Sequence, residues 1–154
     1  MMNVEHTASL EIDAPAHTVW AVISDVEHLP DALSGMTALA IQGDDPVLRV
    51  GLTWTQTRLI AGRTGSERLR VVEVEDGRSY VTEGGAYGVR YISTWTVDAV
   101  GAPCSVLTCT FAGIPHTMFA RLLMRLFGGF GARATREAMS TDLRDIAVVA
   151  TGGR

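Results

Sequence analysis

Residues 8–30 read ASLEIDAPAHTVWAVISDVEHLP, and the hydrophobic pattern changes its period within them. Residues 7–13 alternate between apolar and polar side chains, which predicts a β-strand. Ala14-Pro15 ends that strand, and Pro15 suits the first turn of a helix because the N–H that it lacks would have no partner there. The apolar residues that follow have helical spacing up to about Ser24. A strand that leads directly into a helix therefore opens the chain.

Residues 25–35 (DVEHLPDALSG) predict a second short helix, interrupted by Pro30 and closed by Gly35. From residue 36 onward the apolar period falls from 3.6 to 2, which predicts strands joined by turns rich in glycine and proline. Because the turns are short, neighbouring strands should be antiparallel. The six strands predicted after the helices cover residues 36–42, 48–60, 64–75, 78–84, 88–99 and 104–112, and Gly51 is a candidate bulge in the second.

Helical spacing returns after Gly113-Ile114-Pro115, which is predicted to end the sheet, and it extends over residues 116–149. The apolar residues of this segment form one stripe, as expected of a helix that packs on a sheet. Glycines in the segment 128–131 interrupt the stripe and leave two alternatives, a kinked helix or a short helix followed by a long one. A bend at these glycines is where the helix would move to admit a ligand.

The order of elements is one strand, two short helices, six strands and a long helix. This order predicts an α+β fold in which a curved antiparallel sheet of about seven strands surrounds the long C-terminal helix. A sheet of this size curls, and a single helix across a curled sheet leaves a hollow. The length of 154 residues fits one domain over residues 1–154.

Composition excludes several classes of function. The net charge of -4 argues against a nucleic-acid partner, which would require a clustered basic face. The chain has no lysine, so Schiff-base or amine chemistry from a lysine side chain is excluded. The opening residues MMNVEHTASLEID lack a basic start and an apolar core, so we expect no signal peptide. The most apolar stretch, Met118–Phe130, is too short to span a bilayer. We therefore expect a cytoplasmic protein without stable membrane insertion.

Motifs for metals, cofactors and nucleophilic catalysis are absent from the sequence. The four histidines lack the spacing of metal ligands, and Cys104 and Cys109 are an odd number of residues apart, which places them on opposite faces of one strand. There is no Gly-x-Ser-x-Gly elbow, and the glycines of residues 128–131 lack the Lys-Ser/Thr ending of a phosphate loop. We therefore predict no metal and no cofactor, and the catalytic residues, if any, are unknown.

Residues 8–30 also resemble the opening of START-like, or SRPBCC, domains of the polyketide cyclase/dehydrase and lipid-transport type. The matching features are the apolar strand, Ala14-Pro15, Val19-Trp20, Ser24-Asp25 and Leu29-Pro30. Weaker likenesses follow in order at VGLTWTQTR (50–58), STWTV (93–97) and REAMSTDLRDI (136–146). The resemblance implies a helix-grip fold with an internal cavity for a lipid, polyketide, isoprenoid or similar molecule. It carries over no catalytic residue, because members of the family share the fold while their sites differ.

The cavity walls are predicted to be strands 48–60, 78–99 and 104–112, closed by the helix after Pro115. Tyr91 and Trp95 share one strand face with Ser93, and we expect this bulkier face to point inward, although ordinary core packing is the alternative. Arg58 and Glu83 would each need a partner if buried in the cavity, whereas on the convex face they would be solvated. His116 is expected near the cavity mouth. The complete set of candidate ligand-binding residues is Trp54, Arg58, Glu83, Tyr87, Tyr91, Trp95, His116 and Phe119.

Three functions remain open at this point. The favoured one is binding or transport of a small hydrophobic ligand in the cavity. The alternative is an enzyme of the polyketide cyclase or aromatase type, which requires a titratable cavity residue among Arg58, Glu83, Tyr91 and His116. The third is a protein-interaction module, which requires an exposed apolar patch along residues 119–130.

Overall fold

The computed structural model describes residues 4–86 and 88–153, which form one seven-stranded sheet and three α-helices. The strands are β1 (Val4–Ile12), β2 (Met36–Ile41), β3 (Thr53–Ile60), β4 (Arg63–Glu75), β5 (Ser79–Ala86), β6 (Val89–Gly101) and β7 (Cys104–Pro115). The helices are α1 (Ala16–Ser24), α2 (Leu29–Ala32) and α3 (Met118–Ala150), with a short 3-10 helix at Val26–His28 between the first two.

The sheet order is β1-β7-β6-β5-β4-β3-β2, and every neighbouring pair is antiparallel. The strands from β2 to β7 follow one another as a meander, while the first strand pairs with the last. Helix α3 packs on the concave side, where it contacts β1, β7 and α1. The predicted helix-grip architecture, with a curved sheet around a long C-terminal helix, is confirmed.

The opening segment folds as its pattern predicts, with a small shift at the helix start. In β1, Ile12 is buried, whereas its neighbour Glu11 is exposed. Pro15 occupies the N-cap position rather than the first turn, and the N–H of Thr18 donates to its carbonyl oxygen over 3.0 Å. Helix α1 therefore begins one residue later than predicted and buries Val19 against the core.

The prediction of a strand over residues 48–60 was wrong in its first five residues, because β3 begins at Thr53. Gly51 adopts a φ of 95°, a left-handed conformation that breaks extended backbone at little cost only in glycine. The segment is still held to the sheet, since the Gly51 N–H donates to the Val71 carbonyl and the Val71 N–H donates to the Leu52 carbonyl, each over 2.8 Å.

The predicted end of the sheet at Gly113-Ile114-Pro115 was also wrong, because these residues are the last three of β7. Strand β7 lies between β1 and β6, so pairing continues as far as its neighbours extend: Gly113 pairs with Val4, and Pro115 pairs with Val89. A proline at the final strand position removes only a terminal hydrogen bond, which the sheet tolerates.

Helix α3 is continuous through the glycines at 128–131, so the predicted split into a short helix and a long one was wrong, while a kink at these glycines stays a prediction. The helix begins at Met118 because the hydroxyl of Thr117 accepts a hydrogen bond from the Ala120 N–H over 3.1 Å. Among the residues that the structure describes, no helix is long and apolar enough to cross a membrane.

The hydrophobic core fills the end of the sheet where α1 meets the second half of α3. Its largest contributions come from the strands and from the buried stripe of α3, namely Leu52, Trp54, Val71, Tyr80, Leu107, Met139, Leu143 and Ile146. Toward the other end of β3 and β4, the residues of the connecting hairpin are exposed. The core therefore closes one end of the space between the sheet and α3.

Candidate functional site

A cavity of about 640 Å³ lies between the concave face of the sheet and α3. Six strands, from β2 to β7, contribute residues to its lining. The registers place four residues in one row across the sheet: Trp54, Leu69, Gly84 and Tyr91. Helix α3 covers the cavity with Ala138, Met139 and Asp142. Strand β4 is thus a wall of the cavity, although the sequence-based prediction left it out.

The cavity opens toward the hairpin that joins β3 and β4. The lining residues at the opposite end, such as Ile23 and Tyr80, are buried. In contrast, Arg63, Thr64 and Ser66 line the cavity and are exposed to solvent. A ligand would therefore enter between this hairpin and the middle of α3.

Aromatic side chains form much of the cavity floor. Trp54 is only 2% exposed, and Tyr91 stacks on Phe111 with ring centroids 5.3 Å apart and an interplanar angle of 25°. Trp95 lines the cavity on the same face as Tyr91. Deeper in, the hydroxyl of Tyr80 donates to the backbone carbonyl of Ile23 over 2.9 Å. The floor thus offers a broad apolar surface to a ligand.

One ion pair lies in the cavity wall. The Nη2 of Arg58 on β3 donates to both carboxylate oxygens of Asp142 on α3, over 2.7 and 2.8 Å. The Arg58 and Asp142 side chains are 15% and 9% exposed. Burial raises the pKa of Asp142, and the attraction of Arg58 offsets part of that rise. The Nε and Nη1 groups of Arg58 make no hydrogen bond within the described residues, so they are free for a ligand.

A chain of hydrogen bonds crosses the floor beside this ion pair. The indole Nε1 of Trp54 donates to Oε1 of Gln56 over 3.0 Å, and Nε2 of Gln56 donates to Oε1 of Glu67 over 2.9 Å. The indole can only donate, so the orientation of the Gln56 amide is fixed by its neighbour. Gln56 is buried, and Glu67 lines the cavity.

Two titratable groups in the cavity are kept in their neutral forms. Burial raises the pKa of the Tyr91 hydroxyl, and the nearby charge of Glu67 raises it further. Burial also raises the pKa of the Cys109 thiol to about 12, and Asp142 adds to the effect while Arg58 opposes it. Within the part of the chain that the structure describes, no three His, Cys, Asp or Glu side chains come together as metal ligands.

Three candidate residues lie outside the cavity. Glu83 is on the convex face of β5, because side chains alternate along a strand and its neighbour Thr82 points into the cavity. On that face, Glu83 accepts a hydrogen bond from Nη2 of Arg90 over 2.7 Å. His116 is exposed and does not line the cavity, because the mouth lies at the β3–β4 hairpin. Phe119 is 67% exposed in the first turn of α3. Tyr87 lies outside the described residues.

The remaining four candidates, Trp54, Arg58, Tyr91 and Trp95, all line the cavity. Sequence reasoning missed Gln56, Glu67 and Asp142. A signal for Asp142 was present, since this residue falls on the same helical stripe as Met139 and Ile146, where a charge requires a buried partner. No comparable signal exists for Glu67, which lies on a strand rich in charged residues.

Comparison with known proteins agrees with this architecture. The chain matches the family model for polyketide cyclase / dehydrase and lipid transport over residues 3–151. No curated protein sequence matches significantly.

Solved structures share the fold at low sequence identity. The Zhui aromatase/cyclase from a Streptomyces species aligns with a TM-score of 0.78 and 14% identity, covering 97% of this chain and 94% of that one. A protein from Thermus thermophilus aligns at 0.79 with 16% identity, covering 97% and 98%. Truncated norcoclaurine synthase from Thalictrum flavum aligns at 0.70 with 20% identity, covering 96% and 93%. Together with the match over residues 3–151, the cavity and the helix-grip architecture establish that the chain belongs to the polyketide cyclase / dehydrase and lipid transport family.

Proposed function

We propose that the protein binds a small hydrophobic ligand in the cavity between the sheet and α3, in the cytoplasm. The observation that carries this proposal is the cavity itself, whose volume of about 640 Å³ is in the range of small-molecule sites and whose walls are mainly apolar. Trp54, Tyr91 and Trp95 would contact the apolar body of the ligand, and Arg58 would contact a polar group on it. Tyr87 stays a predicted contact.

Filling the cavity tests this proposal. Ala138 on α3 lines the cavity, so Ala138→Phe should occupy space that the ligand needs. Titration with Nile red, a neutral apolar dye whose fluorescence rises out of water, should show saturable binding to the wild-type protein and at least about tenfold weaker binding to Ala138→Phe, because overpacking leaves the dye no room. Equal affinities of the two proteins for the dye would refute the proposal.

The matched control places the same new side chain outside the cavity. Ala40 is exposed on the outer face of β2, where it pairs with Thr55. Ala40→Phe should bind Nile red as the wild-type protein does, and circular dichroism should show that both variants are folded. A loss of dye binding in Ala40→Phe as well would mean that the dye does not report on the cavity.

A cyclase or aromatase reaction on a polyketide-like chain is the second candidate, and the Arg58–Asp142 pair favours it. Asp142 accepts only from Nη2 of Arg58, and Arg58 lines the cavity, so its other N–H donors would be available to a ligand oxygen. When a carbon–carbon bond forms between two parts of a poly-β-ketone, negative charge develops on a carbonyl oxygen, and fixed donors in a dry site stabilise that charge. Tyr91, which is protonated, would give its proton to that oxygen. Glu67, which lines the cavity, would take the proton lost from the attacking carbon and pass it to Tyr91, so the protein ends in its starting state.

Product analysis separates this candidate from simple binding. A linear poly-β-ketone incubated with the wild-type protein should give one cyclised product, and Arg58→Gln should reduce the rate by about 100-fold or more because the oxygen loses its charged donor. Nile red binding should be retained in Arg58→Gln, which checks that the cavity is intact. If the product mixture is the same with and without protein, the chain is a binding protein and not a cyclase.

A further inference from the structure

Glu67 differs from the other carboxylate of the cavity in how it is paired. Both oxygens of Asp142 accept from Arg58. Glu67 accepts a single hydrogen bond at Oε1, from the neutral amide of Gln56, and no ion pair or hydrogen bond within the described residues reaches its Oε2. Glu67 is half-buried and lines the cavity. It therefore presents an acceptor to the ligand space without a neutralising cation.

The hydrogen-bond chain through the floor holds this carboxylate in place. Trp54 donates to the Gln56 oxygen, so the Gln56 nitrogen must point to Glu67. Both Trp54 and Gln56 are buried, which fixes their side chains by packing. A buried indole and a buried amide thus serve to orient Glu67, and a purely apolar ligand would make no use of that arrangement.

Tyr91 supplies a second polar group at the same place. Its ring is fixed by stacking on Phe111, and its hydroxyl makes no hydrogen bond to the part of the chain that the structure describes. Tyr91 pairs with Gly84, and Gly84 pairs with Leu69, which is two residues from Glu67 on the same face of β4. Because Gly84 has no side chain, nothing on β5 at that position separates Tyr91 from Glu67, and both line the cavity. Because that hydroxyl stays protonated, it can donate to a ligand oxygen while Glu67 accepts from the same ligand group.

We propose that Glu67 and Tyr91 form a specificity site that selects apolar ligands carrying a hydroxyl group, whose hydrogen is donated to Glu67 Oε2 and whose oxygen accepts from Tyr91. This inference rests on the proposed ligand-binding function and adds the chemical class of the ligand. Arg58 is two residues from Gln56 on the same face of β3, so it lies beside this site. Its free N–H donors suit an acceptor such as a carbonyl, and the cavity would therefore fix the orientation of a ligand that carries both a hydroxyl and a carbonyl.

Two probes of nearly equal shape test this site, 2-naphthol and 2-methoxynaphthalene. Both have the same apolar rings, but only 2-naphthol can donate a hydrogen bond. Without a specificity site, the methyl group should make 2-methoxynaphthalene bind up to about fourfold more tightly through its extra apolar area. With the site, the wild-type protein should bind 2-naphthol about tenfold or more tightly than 2-methoxynaphthalene, because hydrogen bonds to charged groups are the stronger kind.

Glu67→Gln keeps the shape and can still accept from Gln56 through its amide oxygen, while its NH₂ group replaces Oε2. In this variant the preference for 2-naphthol should vanish or reverse, with affinity for 2-methoxynaphthalene retained. Glu83→Gln is the matched control, because Glu83 is a carboxylate on the convex face, bonded to Arg90. It should keep the wild-type ratio of affinities.

If Glu67→Gln does not fold, two other measurements still decide the question. They are the ratio of the affinities of the wild-type protein for 2-naphthol and 2-methoxynaphthalene, and the affinity of Tyr91→Phe for 2-naphthol. Tyr91→Phe should weaken 2-naphthol binding by about fivefold, as expected for loss of one neutral hydrogen bond. If the wild-type protein binds both probes but does not prefer 2-naphthol, or if Glu67→Gln keeps the preference, the specificity site is refuted and the ligand-binding function stands. If neither probe binds, both proposals are refuted.

Discussion

At the scale of single residues, the Arg58–Asp142 pair has the largest energetic consequences. The two side chains come from distant parts of the sequence and meet where little water reaches them. A charge buried there costs several kcal/mol unless it is paired, so each member depends on the other. The pair connects the sheet to α3 and at the same time forms part of the cavity wall.

Removing one member of this pair should destabilise the protein far more than removing both. Asp142→Leu leaves Arg58 as an unpaired charge and should lower the free energy of unfolding by about 3–5 kcal/mol. The double variant Arg58→Met/Asp142→Leu should regain most of that loss because no buried charge is left. Urea denaturation of the three proteins measures these differences, and a double variant less stable than Asp142→Leu would contradict the argument.

The exposed pair Arg133–Glu137 on α3 provides the control for this experiment. Its atoms are 3.4 Å apart, but the two side chains are 84% and 72% exposed. Replacing Glu137 by Leu should change the free energy of unfolding by no more than about 0.5 kcal/mol, since water screens the pair.

Sequence alone predicted part of the site, and the reason lies in the alternation of β3 and β6. On β6 the aromatic residues Tyr91 and Trp95 mark the inner face. On β3 both faces of TWTQTR carry polar residues, so alternation could not show that Gln56 and Arg58 point inward. Glu67 becomes a site residue only through its tertiary contact with β3, which no local pattern encodes, whereas the helical stripe of α3 already indicated that Asp142 is buried.

At the scale of secondary structure, glycines have opposite roles in a strand and in a helix. Gly84 on β5 pairs with Leu69 on the neighbouring strand β4. A Cβ at Gly84 would be 2.6 Å from Cδ2 of Leu69 and 2.8 Å from the Arg68 carbonyl oxygen. Gly131 on α3 is exposed, and a Cβ there would have no heavy atom within 4 Å. The first glycine is required by close packing, and the second is not.

Alanine substitutions at these two glycines should therefore change stability in opposite directions. Gly131→Ala should raise the free energy of unfolding by about 0.5–1 kcal/mol, because alanine is the better helix former. Gly84→Ala should lower it by about 1–3 kcal/mol, because the methyl group has no space. Thermal and urea denaturation check both values; a destabilised Gly131→Ala would show that this part of α3 is not a regular helix.

The junction between α1 and α2 should respond to pH through His28. Nδ1 of His28 lies 2.9 Å from Asp25, and this hydrogen bond is the main cause of the raised pKa of His28. A raised pKa means that the folded state holds the proton more tightly than the unfolded state does. The stabilisation is therefore fully present below pH 6.5, the ordinary value, and is lost as the pH rises through the raised pKa.

Replacing the partner of His28 tests this expectation. In Asp25→Asn, an NMR titration should show the pKa of His28 moving down toward 6.5, and the associated loss of stability with rising pH should shrink. An unchanged titration curve in Asp25→Asn would rule out this hydrogen bond as the cause.

Boundaries of elements were harder to predict than the elements themselves. Alternation predicted all seven strands and helical spacing predicted α3, because both are set by which face is buried. The errors at residues 48–52 and 113–115 have another origin. The first depends on the backbone conformation of one glycine, and the second on how far neighbouring strands extend.

At the scale of the whole molecule, ligand binding should appear as added stability. A ligand that binds only the folded protein raises the free energy of unfolding by about 2.7 kcal/mol at a concentration 100 times its Kd. For a chain of 154 residues this corresponds to a rise in Tm of several degrees. A Nile red titration followed by thermal denaturation measures it, with Ala138→Phe as the variant that should show no rise.

The pairing of the first strand with the last has a consequence for synthesis on the ribosome. Residues Val4–Ile12 leave the ribosome before the other six strands, but their partners at Ser105–Gly113 are translated last among the strands. At about 5–20 residues per second, the nascent chain would wait on the order of 5–20 s for β7. During this interval β1 has no strand to pair with, while β2 to β6 can form hairpin by hairpin. Strand β1 is thus the segment that a cellular chaperone would meet unpaired, and the cavity itself cannot exist until β7 and α3 have been translated.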